Sequence, residues 1–482
     1  MSPATQSPAD QHDPSLTEAP LGVLDPCVHC GFCLPTCASY RVLATEMDSP
    51  RGRIHALKAI AAGELELDAT VASHFDSCLG CFACVTACPS GVRYDQLIEA
   101  TRPQLNAPEL RSPGQRAFRR ALFALLPYPG RLRAVLAPLR AYAGSPLQGL
   151  ARRSGLTRLF GPQIEAMERL LPPLAAESFS DALPLLVPAQ GPRRYRVGLV
   201  LGCVQRLFDP AVNAAAIEVL SANGIEVVIP PAQQCCGAVT HHQGELEQTR
   251  ELARDLIERF AAVVGPGKAA GAEPLDAILV AASGCGHTLK AYGEILAPPE
   301  ADPAPQAPAG AATPAHFAAQ VADIQEFLDR VGLAQAFVLG LQPLRHDDGE
   351  PASAERPLRL AYHDACHMLH GQGIRDQPRQ LLRRIPHVQL IEAIEAGVCC
   401  GSAGIYNLVQ PQEAAELGRL KATDLSETGA DIAVSANIGC SLQIRQHMED
   451  AARPIRVMHP VELLAASFHQ VTSAKPLVSA VP

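Results

Sequence analysis

The sequence predicts an α+β multidomain chain: a small α-helical N-terminal domain wound around two cysteine runs, then two homologous α/β repeats rich in cysteine. Three observations carry this. A cysteine run occurs twice, as Cys27-Val-His-Cys30-Gly-Phe-Cys33-Leu-Pro-Thr-Cys37 and as Cys78-Leu-Gly-Cys81-Phe-Ala-Cys84-Val-Thr-Ala-Cys88-Pro89. The spacer between the runs has helical periodicity. Beyond residue 193, strand and helix patterns alternate, and the whole pattern, with its Cys-Cys-Gly, occurs twice.

Both runs read C-x2-C-x2-C-x3-C, and the second ends in proline. Three cysteines at this spacing wrap one face of an iron-sulfur cube, and the fourth reaches the neighbouring cube. One [4Fe-4S] cluster is therefore expected on Cys27, Cys30, Cys33 and Cys88, and a second on Cys37, Cys78, Cys81 and Cys84. A zinc site would use four cysteines and leave the doubled three-plus-one spacing unexplained. Disulfides would need an oxidising compartment, of which the sequence carries no sign. Cys37 is followed by Ala38 where the pattern has proline, which removes a signal and no ligand.

The 482 residues suit two to four domains, with 48% apolar and 18% charged residues. A net charge of −9, no Trp and 4% aromatic residues argue against a nucleic-acid partner. Met1 to Glu18 lacks the charged and apolar regions of a signal peptide. No apolar run is long enough for a transmembrane helix. A cytoplasmic position is expected. The expected organisation is an arm at 1–20, the two-cluster unit at 21–103 and an Arg/Pro/Leu-rich helical linker at 104–192. The first repeat follows at 193–296, a Pro/Ala-rich insertion at 297–316, a helix and linker at 317–357, the second repeat at 358–470 and a tail at 471–482.

Within the first unit, the apolar residues from Arg51 to Gly63 fall at helical spacing, with Gly63 as a C-cap. A second helix is expected around Leu67 to Phe75. These favour a helical ferredoxin over the small strand-built one, whose spacer is shorter. In the linker no Asp or Glu occurs between Glu109 and Glu165, while arginines interleave with apolar residues. Two readings stay open: a basic amphipathic surface for anionic lipid or an acidic partner, and a linker packed across the next domain. The interruptions at Pro127, Pro129 and Pro138 favour the second.

Each repeat opens with a strand leading to a cysteine, Arg196 to Cys203 and Leu358 to Cys366. A helix, a second strand (Ile225–Ile229; Val388–Ile391) and Cys-Cys-Gly follow. Then come a long helix (244–264; 412–428) and a third strand (Asp276–Val280; Asp431–Val434) reaching Cys285 or Cys440. Val321 to Val331 resumes a helical pattern. In parallel sheets, sites form beyond the carboxyl ends of strands, so each repeat's cysteines should converge at one place of its own. Cys203, Cys235, Cys236 and Cys285 make one set, and Cys366, Cys399, Cys400 and Cys440 the other. Each has enough thiols for an additional cluster or for thiol redox chemistry. Buried reduced cysteines remain the bland alternative. His242, His287, His363 and His367 lie near in sequence; such histidines more often support a metal site than ligate it. No catalytic residue is singled out. No Gly-rich dinucleotide fingerprint follows a strand, so the organic cofactor is expected on another subunit.

Several stretches resemble the iron-sulfur subunit of bacterial glycolate oxidase. They include Cys27 to Cys33, Asp48-Ser-Pro-Arg-Gly-Arg-Ile54, Cys88-Pro-Ser-Gly-Val-Arg-Tyr94 and Cys235-Cys-Gly-Ala-Val239. Ala282-Ser-Gly-Cys-Gly286, Cys399-Cys-Gly-Ser-Ala-Gly404 and Ala436-Asn-Ile-Gly-Cys440 belong with them. The resemblance spans about 22–468. It implies an electron-transfer subunit, not catalytic alone, in a complex whose FAD-containing subunits oxidise glycolate to glyoxylate. Electrons would pass to a membrane quinone, with the chain peripheral on the cytoplasmic face of the inner membrane. Rival relays would serve lactate or glycerol 3-phosphate. The repeats also resemble the heterodisulfide reductase family, which leaves open a thiol/disulfide enzyme using the Cys-Cys-Gly repeats. That family's pattern has a fifth cysteine where Ala282 and Asn437 stand here. This weighs against five-thiol clusters and leaves room for a third cluster on four thiols.

Overall fold

The computed structural model describes residues 21–180, 183–297 and 313–469. The expected arm at 1–20, most of the Pro/Ala-rich insertion and the tail at 471–482 lie outside them.

Among the described residues up to 103 there are helices and no strand. Helix Pro50–Ala61 starts with Pro50 in its first turn, and the Ser49 side chain accepts from the Gly52 amide. Gly63 follows it with φ +72°. Helix Ala69–Asp76 is capped by Asp68, whose carboxylate accepts from the Val71 amide. Ile54, Leu57, Val71, Phe75, Leu97 and Ile98 close a core against which the cysteine runs pack.

The first repeat is a five-stranded sheet of β1 (Leu186–Val187), β2 (Tyr195–Val200), β3 (Ile225–Val228), β4 (Ala277–Val280) and β5 (Val321–Asp323), in the order β1-β3-β2-β4-β5. All neighbours are parallel except β1 with β3. The second repeat has β6 (Leu358–His363), β7 (Val388–Glu392), β8 (Ile432–Ser435) and β9 (Arg456–Met458), all parallel, in the order β7-β6-β8-β9. Every residue of β4 and β8 is buried, as expected for central parallel strands covered on both faces. Each repeat thus has a fourth parallel strand, β5 or β9, beyond the three expected. The helical pattern at Val321–Val331 divides into β5 and helix Ile324–Val331 at Asp323. That residue's carboxylate caps the helix and takes part in a capping box with Glu326.

The repeats share one core. Val197, Leu199 and Ile217 of the first pack in the same cluster as Leu360, Tyr362 and Val434 of the second. Helix Pro460–His469 lies on helix Pro210–Ala222, and Ile324–Val331 on Asp376–Leu382. The two sheets are one body, not beads on a string.

Four helices of the linker begin with proline at the first position: Pro113–Leu125, Pro129–Leu136, Pro146–Ser154 and Pro162–Arg169. Leu122 and Phe123 pack on Ile405 of the second repeat and Val239 of the first. Arg111 pairs with Asp76 at 2.8 Å, and Arg119 donates to Gln243 and Asn106. This part is a strap across three domains. Farther on the segment changes character: Val135, Leu139, Leu147, Leu150, Leu156, Leu159, Phe160, Ile164 and Met167 are exposed.

Candidate metal centres

Each N-terminal cysteine run winds back on itself through two residues of positive φ flanking its middle cysteine. In the first these are His29 (φ 54°) and Gly31 (φ 85°), around Cys30. In the second they are Gly80 (φ 62°) and Phe82 (φ 60°), around Cys81. Left-handed residues alternating with right-handed ones turn successive N–H groups inward and form an anion-binding concavity. An anionic iron-sulfur group suits such a cradle.

The two runs face one another across this domain. Cys27, Cys30, Cys33 and Cys88 line one hollow together with Cys84; its other walls include Val28, Phe32, Ile54, Val92 and Tyr94. Cys37 is buried, absent from that lining, and within electrostatic reach of Cys81 and Cys84 as well as of Cys33. Its sulfur lies 3.3 Å from the Ser39 hydroxyl. Tyr94 and the Gly80 amide point hydrogens at Cys78 Sγ, from 3.8 and 3.4 Å. The first group opens at the surface, where Cys30, Val28 and Phe32 are exposed. The second group is largely buried.

Two buried guanidiniums flank this second group. Arg53 is 1% exposed; it donates to the His74 carbonyl, Ser39 and Ser77, and its nearest carboxylate, Asp48, is 3.8 Å away. Arg102 lies over Gly80 and donates to the Cys78 carbonyl at 3.0 Å. Nη1 of each has no hydrogen-bond partner. Buried charge needs compensation, and an anionic cluster between them would supply it. The donor set therefore fits an iron-sulfur group on all three counts: thiols, inward amides and buried cations with an unmatched N–H each. Neither arginine was singled out from the sequence. The available signal was a charge on the apolar stripe of helix Pro50–Ala61, where Arg53 stands beside Ile54 and Leu57. Arg53→Met should lower the midpoint potential of the buried centre, because a cation stabilises the reduced, more negative form. Charge interactions inside proteins are of order 2 kcal/mol at such range, or about 90 mV for one electron. A redox titration followed by electron paramagnetic resonance reads the shift; an unchanged potential would remove Arg53 from the account.

Each repeat's four cysteines gather as expected, in a hydrogen-bonded chain from Cys203 through Cys235 and Cys236 to Cys285 in the first and from Cys366 through Cys399 and Cys400 to Cys440 in the second, but the two sets open on one cavity and not on two. Cys203, Cys235, Cys236 and Cys285 line the same cavity as Cys366, Cys399 and Cys440, a space of about 120 Å³ between the repeats. The reason is the shared core, which turns the carboxyl ends of both sheets toward one another. The cysteine loops are joined there: the Ser283 amide donates to the Ala436 carbonyl and the Gly284 amide to Asn437 Oδ1, both at 3.3 Å. Asn437 in turn donates to Cys440 Sγ at 3.4 Å. The N-terminal domain closes the cavity through Leu79. Cys81 packs beside Cys366 and Cys399. Cys203 is raised well above its ordinary range by its hydrogen bond with Cys235 and by burial. The bond with Cys399 and burial do the same to Cys366. Raised thiols are the opposite of what a nucleophilic cysteine needs, and any metal bound here must displace their protons.

Three of the four singled-out histidines lie at this junction. His367 Nε2 is 2.8 Å from the Gly80 carbonyl and its ring stacks on Phe82, with centroids 5.1 Å apart. His242 and His287 lie 4.4 and 4.9 Å from the same ring. Burial pushes His367 down to about 3, so the ring is neutral. His363 lies elsewhere, at the carboxyl end of β6 beside Cys400 and Cys440. Burial, helped by Lys421, pushes it to about 3 as well.

Comparison with known proteins adds family matches to this geometry. Residues 23–92 match the family described as 4Fe-4S dicluster domain. Residues 114–171 match glycolate oxidase iron-sulfur subunit, linker region. Residues 197–290 and 360–445 match cysteine-rich domain. The chain is 33% identical over 456 residues to the probable glycolate oxidase iron-sulfur subunit of Bacillus subtilis (strain 168), covering 94% of this chain and 96% of that one. It is 32% identical over 442 residues to the glycolate oxidase iron-sulfur subunit of Escherichia coli (strain K12), covering 92% and 93%. Lactate utilization protein A of Geobacillus kaustophilus (strain HTA426) is 27% identical over 271 residues, which are 56% of this chain and 99% of that protein.

Proposed function

The chain belongs to the glycolate oxidase iron-sulfur subunits, and from that premise we propose that it carries electrons from FAD-containing subunits, which oxidise glycolate to glyoxylate, to a membrane quinone. The oxidation releases two electrons and two protons, and reduction of a quinone to a quinol consumes the same. Iron-sulfur clusters, when bound, accept and return electrons singly. Cys27, Cys30, Cys33 and Cys88 hold one [4Fe-4S] cluster, and Cys37, Cys78, Cys81 and Cys84 the other. The observation that supports this best is an unbroken run of thiols. It leads from exposed Cys30, through Cys33 and Cys37, to Cys81 and then to Cys366 and Cys399 of the second repeat. The protein's part is to keep these groups close, to keep water from the inner ones, and to balance their charge with Arg53 and Arg102. The exposed rim of Val28 and Phe32 offers the flavoprotein a docking surface beside the outer group.

The assembled complex should show reduced cluster signals within a single turnover with glycolate under anaerobic conditions. Lactate and glycerol 3-phosphate, given separately, test the rival substrates; equal reduction by lactate would replace glycolate in the assignment. The similarity to lactate utilization protein A covers only about half of this chain. That is a smaller share than the more than nine-tenths matched by the glycolate oxidase iron-sulfur subunits, and so it weighs less for lactate than they do for glycolate.

The linker also supports a peripheral position on the membrane. No helix among the described residues is long and apolar enough to cross one. Leu159 and Phe160 are 80% and 69% exposed, with Arg153 and Arg158 exposed nearby. An apolar surface edged by arginine matches an anionic bilayer, where the quinone resides. The double change Leu159→Ser and Phe160→Ser should weaken cosedimentation with phosphatidylglycerol-containing vesicles at least tenfold, given about 1 kcal/mol or more per partly buried side chain. Unchanged cosedimentation would dismiss the membrane reading of this face.

A further inference from the structure

Of the eight repeat cysteines, Cys400 is the one that does not line the shared cavity. It faces His363. One nitrogen of His363 and the sulfurs of Cys400 and Cys440 lie within 4.8 Å of one another, and all three residues are buried. With metal–sulfur bonds near 2.3 Å and metal–nitrogen bonds near 2.0 Å, two ligands of one metal atom stand at most about 4.6 Å apart. The trio lies close enough for a modest inward movement of its side chains to bring all three ligand atoms onto one metal atom.

His363 itself asks for a partner. It is fully buried, and neither ring nitrogen makes a hydrogen bond; the backbone of Ala396 approaches it without completing one. A buried polar group left so is costly, and a metal atom would satisfy it. The first repeat has no such residue. Three positions before its leading cysteine stands Val200, which pairs with Val280 where His363 pairs with Ser435. Val200 belongs to the apolar cluster of its repeat.

We propose that the second repeat holds an iron centre in which the imidazole of His363 and the thiolates of Cys400 and Cys440 bind one iron atom, and that the first repeat holds no centre of this kind. This rests on the chain being an iron-sulfur relay. Iron is chosen over zinc because Cys366 of the same repeat abuts Cys81 of the buried N-terminal group, and zinc cannot take an electron. A nitrogen in place of a thiolate raises the potential of an iron centre, which makes the second repeat the receiving end of the chain.

The test uses the full-length protein purified without oxygen, with metal content measured by mass spectrometry and the reduced state examined by pulsed electron paramagnetic resonance. Clusters held by cysteine alone carry no directly bound nitrogen. A strong nitrogen coupling is expected in the native protein and in His367→Ala, and its loss in His363→Leu. His363→Cys should lose the coupling, keep its iron and show a lower midpoint potential; it serves also if the leucine variant folds poorly. The proposal is overturned by absence of the coupling in the native protein, by its survival in both His363 variants, or by zinc at this position that leaves with His363. In each of these cases, persistence of the two N-terminal cluster signals leaves the relay itself standing. Their absence from the native protein would strike the relay instead.

Discussion

Cys88→Ser is expected to remove the cluster held by Cys27, Cys30 and Cys33, although Cys88 belongs to the other cysteine run. About four irons per chain should be lost, and with them the substrate-driven reduction of the complex. The hollow lined by the first three cysteines takes in Cys88, with Cys84 behind it, at a turn closed by the Gly91 amide donating to the Cys88 carbonyl, while Cys37 lies within reach of Cys81 and Cys84. Serine keeps the size of the side chain and removes the soft thiolate that iron prefers. The decisive comparison is between pairs. Cys88→Ser should share its spectrum with Cys30→Ser, and Cys37→Ser with Cys81→Ser. If Cys88→Ser matched Cys81→Ser instead, each run would hold its own cluster and the exchange would be wrong. The buried group should be the harder loss to tolerate. Cys78 and Cys84 sit in the core formed by Phe75, Leu97 and Ile98, and the buried guanidiniums of Arg53 and Arg102 would lose the anion beside them.

What could be read from the sequence follows how local each signal is. The cysteine runs, the helical spacer and three strands of each repeat are written in stretches of a few residues, and the structure has them within a residue or two. β5 and β9 are three residues each, too short for any periodicity to register. Their strand character comes from β4 and β8, which offer them an edge. The meeting of both repeats at one cavity was illegible for a different reason. It depends on Leu358, Leu360 and Tyr362 packing into the core of Val197 and Leu199, a contact across more than a hundred residues. Arg53 and Arg102 read as ordinary surface charges until the chain folds them under the buried thiols. His363 reads as one of four histidines near the cysteines, with nothing in the sequence to set it apart from His242, His287 and His367. Only the closing of β6, the Cys-Cys-Gly loop and helix Ile438–Met448 onto one another puts it against two sulfurs.

The second large effect concerns the ion pair beside that place. Arg379 grips Asp364 with both terminal nitrogens at 2.8 Å and reaches Glu392 as well. The Arg379 and Asp364 side chains are nearly inaccessible, and the guanidinium lies 4.8 Å from the Tyr362 ring centroid. Asp364 follows His363 and stands two residues before Cys366, so the pair fixes the turn that presents both. Arg379→Met should cost about 3–5 kcal/mol, because it strands a carboxylate where water cannot reach it. The cost measures the stranded charge rather than the worth of the pair. Hence Arg379→Met combined with Asp364→Leu should recover most of the loss, since apolar replacement of a buried pair is often neutral. Arg379→Lys should recover little, because an ammonium cannot make the two-pronged contact. Anaerobic urea unfolding, followed by a probe in the second repeat, orders the variants. If the double replacement were no more stable than Arg379→Met alone, the pair would be holding the turn by geometry rather than by charge. The loss of the turn would then show as metal missing from the second repeat in every variant, the double one included.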